Sequence, residues 1–199
     1  MIGVLLLAAL AAGCGQRREA MDSGAYVQDV TTSSVIVAGV SEGSTRLRLR
    51  WGAEGEAADK TLSEDAPVQV HGIRAEGLAP STRYHYTLES LGGQVVGAGS
   101  FRTAPAEADA TCRFLVLGDS GGTDSDQGDV LNTGRELIDE ARGASGDENR
   151  QAEVVAAMLS READLVLHLG DVVYPAGARR DYPEGYFRPF GPLIQDLPV

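Results

Sequence analysis

The chain has 199 residues, of which 43% are apolar and 23% are charged, a composition that fits one or two soluble globular domains. Its formal net charge is −12 and its basic residues form no cluster, which excludes nucleic acid and an anionic membrane surface as expected partners. The two cysteines, Cys14 and Cys112, lie far apart, so a framework of disulfides is excluded.

An apolar run, Ile2–Gly13, opens the chain. It is shorter than the roughly twenty residues that cross a bilayer and has the length of the apolar part of a secretory signal. Its end, Leu10–Cys14, resembles the lipobox of bacterial lipoproteins, in which the cysteine is lipidated and becomes the mature N-terminus. The resemblance implies a signal peptide over residues 1–13 and export to the periplasmic or extracellular face. The lipid on Cys14 would be the only membrane contact.

A cleaved signal with an incidental cysteine is the alternative interpretation, and it also implies export. Residues 14–24 are polar in most positions and are predicted to be a tether.

Residues 25–103 show a pattern of short strands separated by turns. Ser34–Ala38 is rich in β-forming residues, and Leu47–Trp51 alternates apolar with basic side chains, as a strand with one solvated face does. We therefore expect an all-β N-terminal domain, followed by a linker over residues 104–110.

The stretch Leu78–Leu88 has Leu, Pro, Thr, Tyr and Tyr at every second position. This pattern resembles the sixth-strand signature of a fibronectin type III sandwich. The resemblance implies that Tyr84 forms the tyrosine corner, with its ring in the core and its hydroxyl bonded to nearby backbone. His71 and His85 also fall in this region, and neither is assigned to a site.

Two apolar runs that follow the linker each end in the dipeptide Gly-Asp. Phe114–Leu117 leads to Asp119, and Leu165–Leu169 leads to Asp171. Continuous apolar runs of this length are typical of central parallel strands covered on both faces, and ligands bind beyond the carboxyl ends of such strands. We therefore expect the two aspartates to converge at one edge of a sheet.

The chain between these runs is long enough for a right-handed crossover that contains a helix. Gln151–Ala163 predicts that helix, with one apolar face in the core. The residues expected on this face are Val154, Val155, Met158 and Leu159.

The residue types at the two strand ends favour a metal site. Two carboxylates close together repel each other unless protons or cations lie between them. Carboxylate oxygens suit magnesium, manganese and iron, and the phenolate of Tyr174 is a good ligand for ferric iron. A pair of ions about 4 Å apart can activate a bridging water for phosphoryl transfer. The alternative is that Asp119 or Asp171 only caps the turn that follows it.

The stretches Gly118–Gly121 and Gly170–Tyr174 resemble the first two motifs of the purple acid phosphatases, a branch of the metallophosphoesterases. An N-terminal fibronectin-like sandwich is also typical of that branch. The resemblance implies an α/β calcineurin-like domain, of which residues 111–199 form an incomplete part. It further implies a dinuclear centre of Fe(III) and a divalent iron, zinc or manganese ion, and a small phosphate ester as the substrate.

The resemblance also assigns roles to individual residues. Asp119 and Tyr174 would bind the ferric ion, and Asp171 would bridge it to the second ion. A bridging hydroxide would then attack phosphorus in line. Gly121 and Gly122 would leave room for the phosphate.

The later motifs of that family, a Gly-Asn-His and several further histidines, are not found in this sequence. The chain contains 3 histidines and no His-x-His. The sequence therefore predicts an N-terminal fragment of a phosphatase that is inactive alone. His168 is expected to be packed in its strand, and Val166 and its neighbours are expected to face solvent.

Two other functions fit parts of the chain. The tripeptide ending in Ser120 also resembles the first block of GDSL/SGNH esterases, in which that serine is the nucleophile. Such a serine needs a histidine as its base, and the terminal Asp-x-x-His block of those enzymes is not found. The third hypothesis is a non-catalytic exported lipoprotein whose sandwich binds a partner.

Overall fold

The computed structural model describes residues 21–107, 110–120, 151–174 and 176–199. The predicted signal peptide, the predicted lipidation site Cys14 and the predicted substrate-binding residues Gly121 and Gly122 lie outside these ranges. Among the described residues, no helix is long and apolar enough to cross a bilayer.

The N-terminal part is a β-sandwich, as predicted. Its seven strands are β1 (Met21–Gln28), β2 (Ser34–Thr45), β3 (Leu47–Ala53), β4 (Lys60–Ser63), β5 (Val68–Glu76), β6 (Arg83–Ser90) and β7 (Val95–Arg102). They form two antiparallel sheets, with the strand orders β1-β2-β5 and β4-β3-β6-β7. Strand β1 begins at Met21, so the predicted tether is wrong over its last residues.

The sandwich core follows from the alternation of side chains along the strands. In β6, Tyr84, Tyr86 and Leu88 point inward and the residues between them do not. The ring of Tyr84 stacks on Phe101 with centroids 5.4 Å apart. Its hydroxyl accepts a hydrogen bond from the backbone N–H of Ala79 at 2.8 Å, which confirms the buried, backbone-bonded tyrosine.

The C-terminal part contains two strands and short helices. These elements are β8 (Phe114–Leu117), α1 (Gln151–Leu159), β9 (Leu165–His168), a 3-10 turn (Arg179–Asp181), a π-helical turn (Pro183–Phe187) and α2 (Arg188–Ile194). Strands β8 and β9 are parallel, with Leu117 opposite His168. The two helices pack on this pair, and the buried residues are Val155, Met158, Val166, Phe190, Leu193 and Ile194.

Only one face of this small sheet is covered among the described residues. Val166 is 2% exposed, so its expected exposure to solvent is wrong. Phe114, Val116 and Leu167, on the opposite face, are 55%, 51% and 44% exposed. The expected exposure of the neighbours of Val166 therefore holds for Leu167, and cover on both faces is not found among the described residues. Both results have one cause, because α1 and α2 pack on the same side of the two strands.

Helix α1 is shorter than predicted and buries a narrower face. It ends at Leu159 because the chain turns there, with the Ser160 hydroxyl donating to the carbonyl of Ala157 at 2.7 Å. Val155 and Met158 are buried as expected, whereas Val154 and Leu159 are about half exposed. Val155 and Met158 face the cluster formed with Val166 and α2, and among the described residues nothing covers the opposite side of α1.

The C-terminal residues join this part to the sandwich. The Tyr86 hydroxyl donates to the carbonyl of Gln195 at 2.9 Å, and Asp196 Oδ1 accepts from the backbone N–H of Ser100 at 2.6 Å. A Cβ on Gly99 would lie 2.5 Å from the Gln195 carbonyl oxygen, so this close approach requires glycine. Burial, and then the charge of Asp196, raises the pKa of Tyr86 above its usual range.

Candidate functional site

The ends of β8 and β9 bring the two predicted aspartates side by side. The backbone N–H of Asp119 donates to the carbonyl of Gly170 at 3.2 Å, and that of Ser120 donates to the carbonyl of Asp171 at 3.1 Å. Asp119 and Asp171 both adopt left-handed backbone conformations, with φ of 56° and 51°. Aspartate tolerates this region better than most residues, and the matched turns aim both side chains beyond the strand ends.

Tyr174 completes this group. Its hydroxyl donates a short hydrogen bond to Asp119 Oδ1. That bond, followed by partial desolvation and a hydrogen bond to Asp171, raises the pKa of Tyr174 above its usual range. The structure therefore places Asp119, Asp171 and Tyr174 together, although their role as metal ligands remains a prediction.

The donor chemistry of this group fits a hard cation. Its contacting atoms are carboxylate and phenol oxygens, which suit ferric iron and other hard ions. Among the residues that the structure describes, no group of three or more His, Cys, Asp and Glu side chains is arranged to hold a metal ion. A metal ion held by the two aspartates would need Tyr174 as a third protein donor.

His168 has a partner that the sequence did not reveal. Its Nε2 lies 2.7 Å from Ser120 Oγ, whereas we had expected the ring to be packed inside the strand. The residue lies at the last position of β9, half exposed, where the strand pairing sets it beside the turn after β8. Pairing the two apolar runs as parallel strands in this register places His168 close to Ser120, so the register is the signal that predicts the contact.

The hydrogen bonds of His168 fix its tautomer. The backbone N–H of Gly170 donates to His168 Nδ1 at 3.2 Å, so Nδ1 is unprotonated and the ring proton lies on Nε2. The ring therefore donates to Ser120 Oγ and cannot accept the serine proton. Burial lowers the pKa of His168, which favours this neutral form. This arrangement does not activate Ser120 as a nucleophile.

A second serine–histidine–carboxylate group lies inside the sandwich. His71 Nε2 is 2.9 Å from Ser41 Oγ, and His71 Nδ1 is 2.9 Å from Glu64 Oε1. Glu64 also accepts from the backbone N–H of Leu47, so the group links the two sheets. The side chain of His71 is fully buried and Ser41 is 3% exposed, which leaves no access for a substrate. The group is structural.

A cleft of about 250 Å³ lies between the sandwich and the π-helical turn. Its wall is mostly apolar, with Arg179 and Asp22 as its charged residues. None of the three residues grouped at the strand ends lines this cleft.

Comparison with known proteins shows likeness in fold only. No model of a known protein family matches the chain, and no curated protein matches it. The solved structure of PhoD is similar, with a TM-score of 0.55 and 15% sequence identity, over 89% of this chain and 38% of that one. A fibronectin type III domain of human collagen XX is 18% identical, with a TM-score of 0.32, over 41% of this chain and 88% of that one.

The chain thus spans less than half the length of the PhoD structure that it resembles. At 15% identity the likeness indicates a shared arrangement of the backbone over most of this chain.

Proposed function

We propose that this chain is the N-terminal part of a metallophosphoesterase that hydrolyses phosphate esters with acid phosphatase activity. The observation that carries the proposal is the meeting of Tyr174 with Asp119 and Asp171 at the ends of two parallel strands. The fold likeness to PhoD, an alkaline phosphatase D of the metallophosphoesterase class, supports it.

In this proposal, Asp119 and Tyr174 would hold a ferric ion, and Asp171 would also contribute to a second, divalent ion of iron, zinc or manganese. The metal pair, when bound, supplies an activated water and positive charge that stabilises phosphoryl transfer. To bind as a phenolate, Tyr174 would release to solvent the proton that it now donates to Asp119. By the family resemblance, Gly121 and Gly122 would leave room for the phosphate group.

The proposed location is outside the cytoplasm. The lipobox-like Leu10–Cys14 supports an exported lipoprotein held at the membrane by a lipid on Cys14.

An esterase based on Ser120 is the second candidate, since a histidine nitrogen does lie 2.7 Å from its hydroxyl. The tautomer of His168 opposes it, because the proton on Nε2 points at the serine. A binding module without catalysis would leave the grouping of Tyr174 with two aspartates unexplained.

Ferric iron binding tests the proposal directly. A phenolate bound to Fe(III) produces a charge-transfer band in the visible range, so the purified chain titrated with Fe(III) is expected to become coloured. Tyr174→Phe should abolish the band, and Tyr182→Phe, which removes a hydroxyl beside Phe187, should leave it unchanged. Asp171→Asn should reduce bound iron, with Asp181→Asn as its matched control.

Iron content after desalting, measured by mass spectrometry, gives a readout independent of colour. A chain that retains no iron, or a visible band that survives Tyr174→Phe, would refute the proposed site.

A further inference from the structure

Among the described residues, the two turns that carry the aspartates share few backbone hydrogen bonds. Two backbone hydrogen bonds cross between them, from Asp119 to Gly170 and from Ser120 to Asp171, at 3.2 Å and 3.1 Å. Both aspartates are in the left-handed region, which non-glycine residues occupy only where their surroundings hold them. Side chains add to these bonds, since Gln151 Nε2 donates to the carbonyl of Ser120 and the Tyr174 hydroxyl donates to Asp119.

One imidazole contacts both turns. His168 Nδ1 accepts the N–H of Gly170, the residue before the second aspartate. His168 Nε2–H donates to the hydroxyl of Ser120, the residue after the first aspartate. The ring is itself oriented by Tyr186, whose ring meets it edge-on at a centroid distance of 5.7 Å. A single side chain thus ties together the residues that flank Asp119 and Asp171.

We propose that His168 is a positioning residue, which sets the separation of Asp119 and Asp171 through its paired bonds to Ser120 and Gly170. It contacts neither aspartate side chain in this role and is neither a ligand nor a base. The consequence for metal binding rests on the proposed function, whereas the consequence for the two turns does not. A hydrogen-bonded residue that orients metal ligands typically changes metal affinity by about 10- to 100-fold when it is removed.

Variants of His168 can separate its two bonds. The side-chain nitrogen of glutamine reaches the place of Nε2, so His168→Gln keeps the donor to Ser120. Asparagine reaches only the place of Nδ1, so His168→Asn keeps the local bond to Gly170 and loses the bond between turns. Ser120→Ala removes the same bond from the other side. His85→Gln, on the sandwich strand β6, is the matched control.

The first measurement needs no metal. Nitrogen NMR of the labelled full chain is expected to show His168 with its proton on Nε2. Hydrogen exchange of the Ser120 amide, which bonds to Asp171, should speed up about tenfold or more in His168→Asn and stay near wild type in His168→Gln and His85→Gln. For Ser120→Ala, faster exchange is likewise expected at the Asp119 amide.

The second measurement is the affinity for Mn²⁺, followed by electron paramagnetic resonance. His168→Asn and Ser120→Ala should weaken the affinity for Mn²⁺ about tenfold or more. The affinity of His168→Gln should stay near that of the wild type. A proton on Nδ1, or equal exchange rates in the Asn and Gln variants, would overturn the positioning role. If the wild-type chain binds neither Mn²⁺ nor Fe(III), the proposed function is refuted. The positioning role of His168 is then tested by the hydrogen-exchange rates alone.

Discussion

The buried hydroxyl of Tyr84 allows a sharp test of the sandwich. Tyr84→Phe removes one oxygen atom and leaves the ring on Phe101. The backbone N–H of Ala79 then loses its 2.8 Å acceptor. Tyr84 is 8% exposed, so water cannot easily replace that oxygen. A buried donor left unpaired costs about 1–3 kcal/mol, which is the expected loss in the free energy of unfolding. Because the hydroxyl accepts this bond, the group left unpaired is a backbone donor.

Urea denaturation measures this loss, and intrinsic tryptophan fluorescence can follow it. Trp51 is the only tryptophan and packs against the sandwich core, so its fluorescence reports the unfolding of this part. With a urea dependence of about 2 kcal/mol per molar, the midpoint should fall by roughly 0.5–1.5 M. Tyr182→Phe, outside the sandwich, should leave the midpoint unchanged. A Tyr84→Phe midpoint within about 0.2 M of wild type would show that the hydroxyl bond is not formed.

Four further outcomes are expected. Asp196→Ala should lower the free energy of unfolding by about 1.5–3 kcal/mol in urea, because Ser100 loses a charged acceptor. Burial raises the pKa of Tyr186 to about 12 from 10.0. The resulting stabilisation is complete below pH 10.0 and should be lost as pH rises toward about 12, measurable by urea titration across that range. The purified chain should hydrolyse p-nitrophenyl phosphate no faster than background with iron, zinc or manganese, because few metal ligands are present. Turnover that Asp171→Asn abolishes would contradict this. Mass spectrometry of the membrane fraction should show a lipid on Cys14 and residues 1–13 removed, and an unmodified thiol would contradict that prediction.

The sandwich could be predicted because its signal is local. The alternation of apolar residues in Leu47–Trp51 and in the Tyr84 strand indicates which side chains face inward. Leu47 and Leu49 in the first strand are buried, and so are Tyr84 and Tyr86 in the second. The two Gly-Asp strands were equally clear, since apolar runs and their ends are read directly from the sequence. Their parallel pairing then brought Asp119 and Asp171 together.

Features that depend on contacts across the chain could not be predicted in the same way. An apolar run does not indicate which of its faces will be covered, so the exposure of Leu167 was expected but the burial of Val166 was not. The bond between His168 and Ser120 joins residues 48 positions apart and depends on strand register. The cluster of Ser41, His71 and Glu64 likewise requires the pairing of β2 with β5.

The contact of Asp196 with Ser100 has a consequence for how the protein behaves in a crowded solution. Strand β7 is the outermost strand of its sheet, and the N–H of Ser100 points away from that sheet. An open backbone edge of this kind is a template on which another chain can add a strand and aggregate. Asp196 covers it with a charged oxygen, so we expect the C-terminal residues to protect the sandwich from self-association.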